Sequence, residues 1–362
     1  MSDYDSGHLA KGAYGLRRTV RLRLLVGAFV PVLALALAAC GGSGGGGSGS
    51  SGGGQAASGE ISIEGSSTVQ PITQAAAELF SEQNPDARIS VGGAGTSDGF
   101  EAFCQGDTQI SDASRPIDVA EEVPVCKENG VEFIEIPVAY DGISVVVNSQ
   151  NDFATDITSE ELKKIWEPAA EGNITQWSQV RSSWPDQEMS LYGPGTESGT
   201  YEFFNEYIVG NEEEVSRQSD VEMSEDDNVL VQGVAGDQNA LGYFGYSYYV
   251  NNRDSLKALE VDGVAPTEET IRSQDYLLSR PLFIYVNTKD LEQNSTVQEF
   301  VDFYLAEENL NRLVEAAKYV TLPDSLVQES QAQYEDRTTG TVFTEEGEPK
   351  GGDLEAALKQ SQ

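Results

Sequence analysis

Basic residues and histidine are scarce in this 362-residue chain, which has 22 lysines and arginines against 60 aspartates and glutamates, one histidine and three cysteines. The net charge of −38 leaves no basic footprint for nucleic acid or for an anionic membrane surface, and both are excluded as binding partners of the folded part. The acidic clusters at 212–214 and 225–227 lack the ligand spacing of a calcium loop. We interpret the excess of acid as a solvated surface, and we expect no metal site and no cofactor.

The N-terminus has the order of a secretory signal. Arginines between 17 and 23 precede an apolar run from 24 to 37, and small residues follow before Cys40. The alternative, a membrane-spanning helix, needs about 20 apolar residues, whereas this run is shorter and contains Pro31. We therefore expect residues 1–39 to be a signal peptide whose removal takes the net charge from −38 to −41.

Removal of that segment also takes away His8, the only histidine. A mature chain without histidine has no Ser-His-Asp or Cys-His pair and no histidine-ligated zinc. Catalysis by lysine or carboxylate stays open, but neither an activated nucleophile nor a metal cluster is visible in the sequence. The sequence therefore argues against an enzyme.

The residues around Cys40 predict a membrane anchor. Leu37-Ala38-Ala39-Cys40 resembles the lipobox of bacterial lipoproteins, which implies that Cys40 carries lipid. Residues 41–59 are nearly all glycine and serine, so 40–59 is read as a lipidated cysteine with a flexible tether. The expected location is outside the cell, anchored to the outer face of the cell membrane or in the periplasm. The export route stays open.

Cys104 and Cys126 remain as an even pair in an exported chain, and a disulfide is the expected outcome. It would close a loop of about 22 residues and contribute about 3 kcal/mol by the chain-entropy estimate. A metal pair is the alternative, but it would lack further ligands.

Short apolar strands alternate with amphipathic helices after the tether. Strands are predicted at 61–63, 88–91, 133–138, 143–148 and 283–286, and helices at 69–83, from about 97, and at 159–166, 200–209, 296–305 and 307–317. This alternation predicts an α/β fold with largely parallel sheets. Ligands of such sheets bind at the carboxyl ends of the strands.

Three turns between a strand and a helix combine glycine with hydroxyl residues, at 65–71, 92–99 and 192–200. Glycine lets a ligand approach the backbone closely, and the free N–H groups of a helix N-terminus bind anions. Serine and threonine are also ordinary helix caps, so one such turn is weak evidence. Three of them fit a small oxyanion, and none matches a dinucleotide fingerprint or a P-loop.

Six segments, in this order, resemble the phosphate-binding proteins of bacterial phosphate ABC importers. They are Gly65-Ser66-Ser67-Thr68, Ile110-Ser111-Asp112-Ala113-Ser114-Arg115-Pro116-Ile117, Tyr140-Asp141-Gly142-Ile143, Ser198-Gly199-Thr200, Leu241-Gly242-Tyr243-Phe244 and Ser279-Arg280-Pro281-Leu282-Phe283-Ile284-Tyr285-Val286. The resemblance, from about 60 to about 324, implies a type II periplasmic-binding-protein fold with two lobes joined by two hinge strands. It also implies capture of one phosphate without catalysis, and delivery to a membrane permease with its ATPase.

Carried over residue by residue, the resemblance implies phosphate contacts from all three turns. They would come from Ser67, Thr68, the N–H of Val69, Thr96, Ser97, Ser198, Gly199 and Thr200. The family often has an arginine just before the third turn, whereas Pro194 occupies that region here. Arg115 is the expected substitute, because a guanidinium can bind two phosphate oxygens at once. A salt bridge is the alternative role of Arg115.

Phosphate keeps a proton at neutral pH, and a carboxylate that accepts it would discriminate against sulfate. Asp141 is our candidate acceptor, with Asp112 and Asp98 as alternatives. Asp141 could instead orient Arg115 or a hinge turn, and both roles stay open.

The predicted lobes are 60–140 plus 253–362 and 141–252, with hinges near Tyr140-Asp141 and Asn251-Asn252. The polar stretch 338–362 is expected to be partly disordered, and the protein to be a monomer. Three alternative functions stay open: a binding protein for sulfate or molybdate, a phosphate sensor or adhesion lipoprotein, and, last, an exported phosphatase.

Overall fold

The computed structural model describes residues 59–196, 198–210 and 216–361. The predicted signal peptide, Cys40 and the tether up to 58 lie outside the described residues. The strands are β1 Glu60–Gly65, β2 Arg88–Val91, β3 Ile110–Ala113, β4 Phe133–Asn148, β5 Asp156–Ile157, β6 Ser190–Pro194, β7 Glu222–Ser224, β8 Ala240–Gly245, β9 Leu256–Ala258, β10 Glu260–Val261 and β11 Ser279–Asn287.

Helices connect most of these strands. They are α1 Gln70–Gln83, α2 Thr96–Gln105, α3 Glu122–Glu128, α4 Ser159–Trp166, α5 Trp177–Val180, α6 Gly199–Phe204, α7 Asp227–Gly236, α8 Tyr246–Val250, α9 Glu268–Arg272, α10 Thr288–Gln293, α11 Ser295–Leu305, α12 Glu307–Ala316, α13 Asp324–Glu335 and α14 Leu354–Ser361. A 3₁₀ turn at Pro168–Ala170 and a π-helical turn at Asn205–Val209 complete the list. None of the helices in the described part of the chain is long and apolar enough to cross a membrane.

Nine strands form one sheet in the order β2-β1-β3-β11-β4-β8-β6-β7, with β9 also paired to β4. Its centre is β4, a 16-residue strand that is buried along its whole length. The first part of β4 pairs antiparallel with β11, and its last part pairs antiparallel with β8 and β9. The two strands predicted at 133–138 and 143–148 are therefore one strand that belongs to both halves of the sheet.

Each half of the sheet has a parallel group of strands followed by helices. In the first half β1 lies between β2 and β3 and is parallel to both. In the second half β6 lies between β7 and β8 and is parallel to both. The predicted α/β architecture is confirmed, and the carboxyl ends of β1, β2 and β6 lead directly into the three glycine- and hydroxyl-rich turns.

The chain just after residue 252 still pairs with strands of the segment 141–252. Strand β9 pairs with residues 146–148 of β4, and β10 pairs with β5. Residues 256–261, predicted to belong to the first lobe, are thus hydrogen-bonded to strands of the segment 141–252. The strand that runs back beside β4 is β11, where Ser279 lies opposite Gly142.

The C-terminal stretch is packed rather than disordered. Val342 and Phe343 are buried, and the ring of Phe343 meets Phe283 edge-on at 5.7 Å. Leu354 and Leu358 of α14 are also buried. The prediction of disorder is wrong for residues 338–361, because a few well-spaced apolar side chains within the polar sequence suffice to dock it.

The predicted disulfide is confirmed. Cys104 and Cys126 are bonded, with their Cα atoms 4.1 Å apart. The bond joins α2 to α3, and both sulfur atoms lie in buried residues. It thereby holds α2, which follows the second turn, against α3, which carries Glu122.

Candidate functional site

A cleft of about 380 Å³ opens where the strand ends of the two halves face each other. One wall is the start of α2 with the end of β3, and the other is α6 with the π-helical turn. Its lining residues include Thr96, Ser97, Asp98, Ser114, Arg115, Glu202, Glu206 and Arg280. The cleft is therefore lined by hydroxyl groups, two arginines and carboxylates.

The structure brings the three predicted turns into contact. The N–H of Gly95 donates to the carbonyl of Gly65 at 2.9 Å, which joins the second turn to the first. The third turn reaches the first turn at Gly199, where an added β-carbon would collide with Thr68 Oγ1. Glycine is needed at this position because any side chain would separate the two turns.

Several predicted donors are engaged within the turns. Ser66 Oγ accepts from the N–H groups of Thr68 and Val69 at 3.2 and 3.4 Å. Ser198 Oγ accepts from the N–H of Thr200 at 3.2 Å. In this conformation these N–H groups would have to exchange partners before they could hold an anion.

The second turn presents its groups to the cleft. Helix α2 begins after Gly95, which has a φ of 120° and provides no side-chain cap, and the first N–H groups of a helix have no intrahelical partner. Thr96 Oγ1 accepts from the N–H of Ser114 at 3.2 Å. Ser97 Oγ accepts from Arg115 Nη2 at 3.0 Å. Because the Ser97 oxygen already accepts a bond there, its own proton is free to point elsewhere.

Arg115 lines the cleft and also forms the ion pair that the sequence left as its alternative role. Its Nη1 and Nη2 donate to the two carboxylate oxygens of Glu122 at 2.9 and 2.7 Å. Nη1 also donates to the Pro116 carbonyl at 3.1 Å, and the guanidinium lies 5.3 Å from the ring centre of Phe100. About a third of the side chain (34%) stays exposed.

Arg280 is the residue that the sequence analysis missed as a site residue. It is 6% exposed, and its Nη2 donates to Thr68 Oγ1 at 3.0 Å and to the Gly199 carbonyl at 3.3 Å. The guanidinium carbon lies 4.0 Å from the ring centre of Phe203. Arg280 thus contacts the first and third turns together. The available signal was a single arginine in an otherwise uncharged strand, within a second Ser-Arg-Pro tripeptide.

Asp141 lies directly across the β4–β11 pair from Arg280. Its Oδ2 is 3.5 Å from Arg280 Nε, and neither of these atoms has a hydrogen-bond partner among the described residues. Burial raises the pKa of Asp141, and the nearby guanidinium of Arg280 partly offsets this rise. Asp141 sits behind Arg280, outside the residues that line the cleft, and its partner is Arg280 rather than Arg115.

The other two candidate acceptors lie in different surroundings. Asp98 lines the cleft. Asp112 is fully buried and does not line the cleft, and its Oδ1 accepts from Thr73 Oγ1 at 2.8 Å. Burial raises the pKa of Asp112 to about 8, against the effect of the Thr73 bond. Of these two, only Asp98 reaches the space where an anion could bind.

A second cavity of about 550 Å³ lies at the contact between the first and third turns. It is lined by Ser67, Ser198, Gly199 and Thr200, but also by the acidic stretch 225–227. Burial, with a smaller contribution from the charge of Asp226, raises the pKa of Asp227 to about 7, against the lowering effect of the hydrogen bond from the Gly245 N–H. The predicted site residues are therefore divided between two cavities, and the cleft with two arginines is the better place for an anion. No group of three or more potential metal ligands occurs in the part of the chain that the structure describes.

Comparisons with known proteins give a consistent result. The family model of the PBP superfamily domain matches residues 50–308. The phosphate-binding protein PstS of Staphylococcus haemolyticus is 40% identical over 307 residues, which are 83% of this chain and 92% of the relative.

Two solved structures are similar in both sequence and fold. A possible phosphate-binding protein from Planctomyces limnophilus is 40% identical with a TM-score of 0.73, and the match covers 78% of this chain and 99% of that one. An ABC-type phosphate transport receptor from Vibrio cholerae is 25% identical with a TM-score of 0.57, covering 72% and 99% of the two chains.

Proposed function

The chain belongs to the PBP superfamily and, within it, to the phosphate-binding proteins, and from this we propose that it captures inorganic phosphate outside the membrane and delivers it to an ABC importer. The observation that carries the proposal is the cleft of about 380 Å³ in which Arg115 and Arg280 meet the hydroxyl groups of α2. Guanidinium groups and helix N-termini are the groups that bind phosphate oxygens in proteins.

Arg115 and Arg280 are the proposed cations of the site. Glu122 holds the guanidinium of Arg115 by two hydrogen bonds, and phosphate would bind the Nε–H together with the Nη2–H that Ser97 now accepts. Arg280 acts from the bottom of the cleft, where burial excludes water and strengthens its interaction with an anion. The net charge of the whole chain does not prevent this, because distant surface charges are screened by salt while buried groups are not.

The neutral donors come from the wall formed by α2. Thr96 and Ser97 lie at its start, and the proton of Ser97 is free to donate because its oxygen accepts from Arg115. Ser114, which the sequence analysis did not include, lines the same wall.

The groups of the first and third turns remain proposed ligands. Ser67, Thr68, Val69, Ser198, Gly199 and Thr200 reach phosphate only if the two turns separate and their internal bonds are exchanged. Movement of the two halves about β4 and β11 would allow this. We accordingly propose that β4 and β11 are the two hinge strands, and that the second lobe extends to about residue 278.

Of the two roles that the sequence left open for Asp141, acceptor of the phosphate proton or orienting carboxylate, we propose the second. Its position behind Arg280 suits a carboxylate that orients the guanidinium. The acceptor for the phosphate proton is then one of the cleft-lining carboxylates Asp98, Glu202 and Glu206. A carboxylate at that place would reject sulfate, which has no proton to offer.

The remaining proposals follow from the sequence. The protein is exported and held at the outer face of the membrane through lipid on Cys40, and it acts as a monomer. The cleft binds phosphate without changing it, since the described groups include no histidine or metal cluster to activate a nucleophile.

Calorimetric titration with phosphate, with sulfate and molybdate as competitors, tests the proposal. We expect tight one-to-one phosphate binding that sulfate does not displace. Stronger binding of sulfate or molybdate would overturn the choice of ligand. A folded sample that binds no oxyanion would overturn capture altogether and favour the sensor or adhesion alternatives.

A further inference from the structure

A carboxylate outside the cleft, Glu135, is buried near the start of β4 with no exposed surface. It accepts three hydrogen bonds, from Tyr285 Oη at 2.7 Å, Thr341 Oγ1 at 2.7 Å and the N–H of Val342 at 3.0 Å. A buried carboxylate is costly unless its oxygens are bonded. Glu135 therefore ties β11 and the C-terminal stretch to one another.

The opposite end of this network reaches the loop of Arg115. Tyr285 Oη accepts from the N–H of Ile117 at 2.9 Å, two residues after Arg115. The Tyr285 ring packs edge-on against Phe100 at 4.8 Å, and Phe100 lies beneath the Arg115 guanidinium at 5.3 Å. Tyr285 therefore contacts both the backbone that follows Arg115 and the ring on which its guanidinium rests.

We propose that Tyr285 and Glu135 are positioning residues for Arg115, and that the C-terminal stretch supports the anion site through Thr341 and Val342. The inference rests on the proposed function, in which Arg115 binds phosphate. A guanidinium binds two oxygens only when its plane is correctly oriented, and such orientation depends on the supporting groups. The chain of bonds from Thr341 through Glu135 and Tyr285 to Ile117 provides this support.

A tyrosine with a purely structural role would make the same contacts, so the test must show that Tyr285 acts through Arg115. Tyr285→Phe removes one hydroxyl and keeps the ring on Phe100. We expect it to weaken phosphate binding about three- to tenfold in calorimetry. In an Arg115→Lys background the same change should cost less than about twofold, because a flexible ammonium needs no oriented plane.

Tyr334→Phe is the matched control. Tyr334 Oη donates to the carboxylate of Asp302 at 2.8 Å, so this variant also removes a tyrosine–carboxylate bond, but one with no link to the Arg115 loop. We expect its phosphate affinity to equal that of the unmodified protein. Thr341→Val removes a donor to Glu135 from the C-terminal side and should weaken binding in the same direction as Tyr285→Phe. It also serves as the test if Tyr285→Phe does not fold.

The outcomes separate the inference from the function on which it rests. Absence of phosphate binding by the unmodified protein would refute the proposed function before any variant is made. If that protein binds phosphate and Arg115→Lys weakens binding, the inference fails when Tyr285→Phe has no effect or costs the same in both backgrounds. Unchanged affinity in Arg115→Lys would refute the role of Arg115 and the inference together.

Discussion

Replacement of Arg280 by methionine tests the contact that joins the two halves of the cleft. The change keeps the length and much of the apolar volume of the side chain but removes its charge and its donors. It breaks the bonds to Thr68 Oγ1 and to the Gly199 carbonyl, at 3.0 and 3.3 Å, and the ion pair with Asp141 at 3.5 Å. All three interactions lie in a region from which water is excluded.

The magnitude follows from that burial. Removal of one partner of a buried ion pair costs about 3–5 kcal/mol, because the other charge is left unpaired. The remaining carboxylate can escape part of this cost by protonation, since burial already raises the pKa of Asp141 and loss of Arg280 removes the effect that offsets the rise. We expect Arg280→Met to lower the free energy of unfolding by about 3 kcal/mol at neutral pH.

Urea unfolding of the phosphate-free protein measures this loss, and Arg253→Met is the control. Arg253 is exposed, with its guanidinium 5.5 Å from the ring centre of Tyr249, and its loss should cost less than about 1 kcal/mol. Adding Asp141→Asn to Arg280→Met should recover part of the lost stability, because a neutral amide is easier to bury than a carboxylate.

Phosphate affinity provides the second readout for the same variant. A hydrogen bond to a charged group in a buried site contributes about 1.5–3 kcal/mol, so Arg280→Met should weaken phosphate binding by at least about tenfold. A loss of stability no larger than that of Arg253→Met, together with unchanged phosphate affinity, would refute the role given to Arg280.

Three further perturbations have defined outcomes. Replacement of both Cys104 and Cys126 by serine removes a disulfide with a sequence separation of 22, so thermal or urea unfolding should show the free energy of unfolding lowered by about 3 kcal/mol. An unchanged midpoint would contradict a stabilising role of the disulfide. The folded state keeps Asp112 protonated up to its raised pKa of about 8, whereas the unfolded chain releases that proton near pH 4. Stability should therefore fall as the pH rises through this window, by up to about 1.4 kcal/mol per pH unit, and urea unfolding of Asp112→Asn should lack that slope. In Gly199→Ala the new β-carbon collides with Thr68 Oγ1, so urea unfolding of the phosphate-free protein should show a loss of about 1–3 kcal/mol, and an unchanged midpoint would contradict contact between the turns.

The sequence was sufficient for the architecture and for the meeting of the three turns. Alternating strands and helices predict the α/β sheet, and the glycine- and hydroxyl-rich turns at 65–71, 92–99 and 192–200 do come together at strand ends. This worked because parallel strands followed by helices place their carboxyl ends on one edge of a sheet. The three turns could therefore be expected to lie together from their local sequences alone, without knowledge of which strands pair.

The parts that could not be predicted depend on contacts distant in sequence or on very short elements. Arg280 bonds to Thr68 across 212 positions, and no local pattern reveals such a contact. Strands β9 and β10 have three and two residues, too few for an alternating pattern. Their pairing with β4 and β5 was therefore not visible in the sequence, and the lobe boundary that we propose lies later than the one predicted near 251–252. The C-terminal stretch looked polar because only a few of its side chains are apolar.

The two arginines of the cleft are the groups that would let a chain with a net charge of −38 bind an anion under the proposed function. Each guanidinium is bound by one carboxylate, Arg115 by Glu122 and Arg280 by Asp141, so neither arginine is a bare buried charge when the site is empty. A guanidinium has five N–H donors, and four of those on Arg115 are taken, two by Glu122 and two by the Pro116 carbonyl and Ser97 Oγ. Under the proposed function the carboxylate fixes the plane of each guanidinium, and phosphate gains its N–H groups by displacing neutral acceptors such as Ser97 at Arg115 and Thr68 at Arg280.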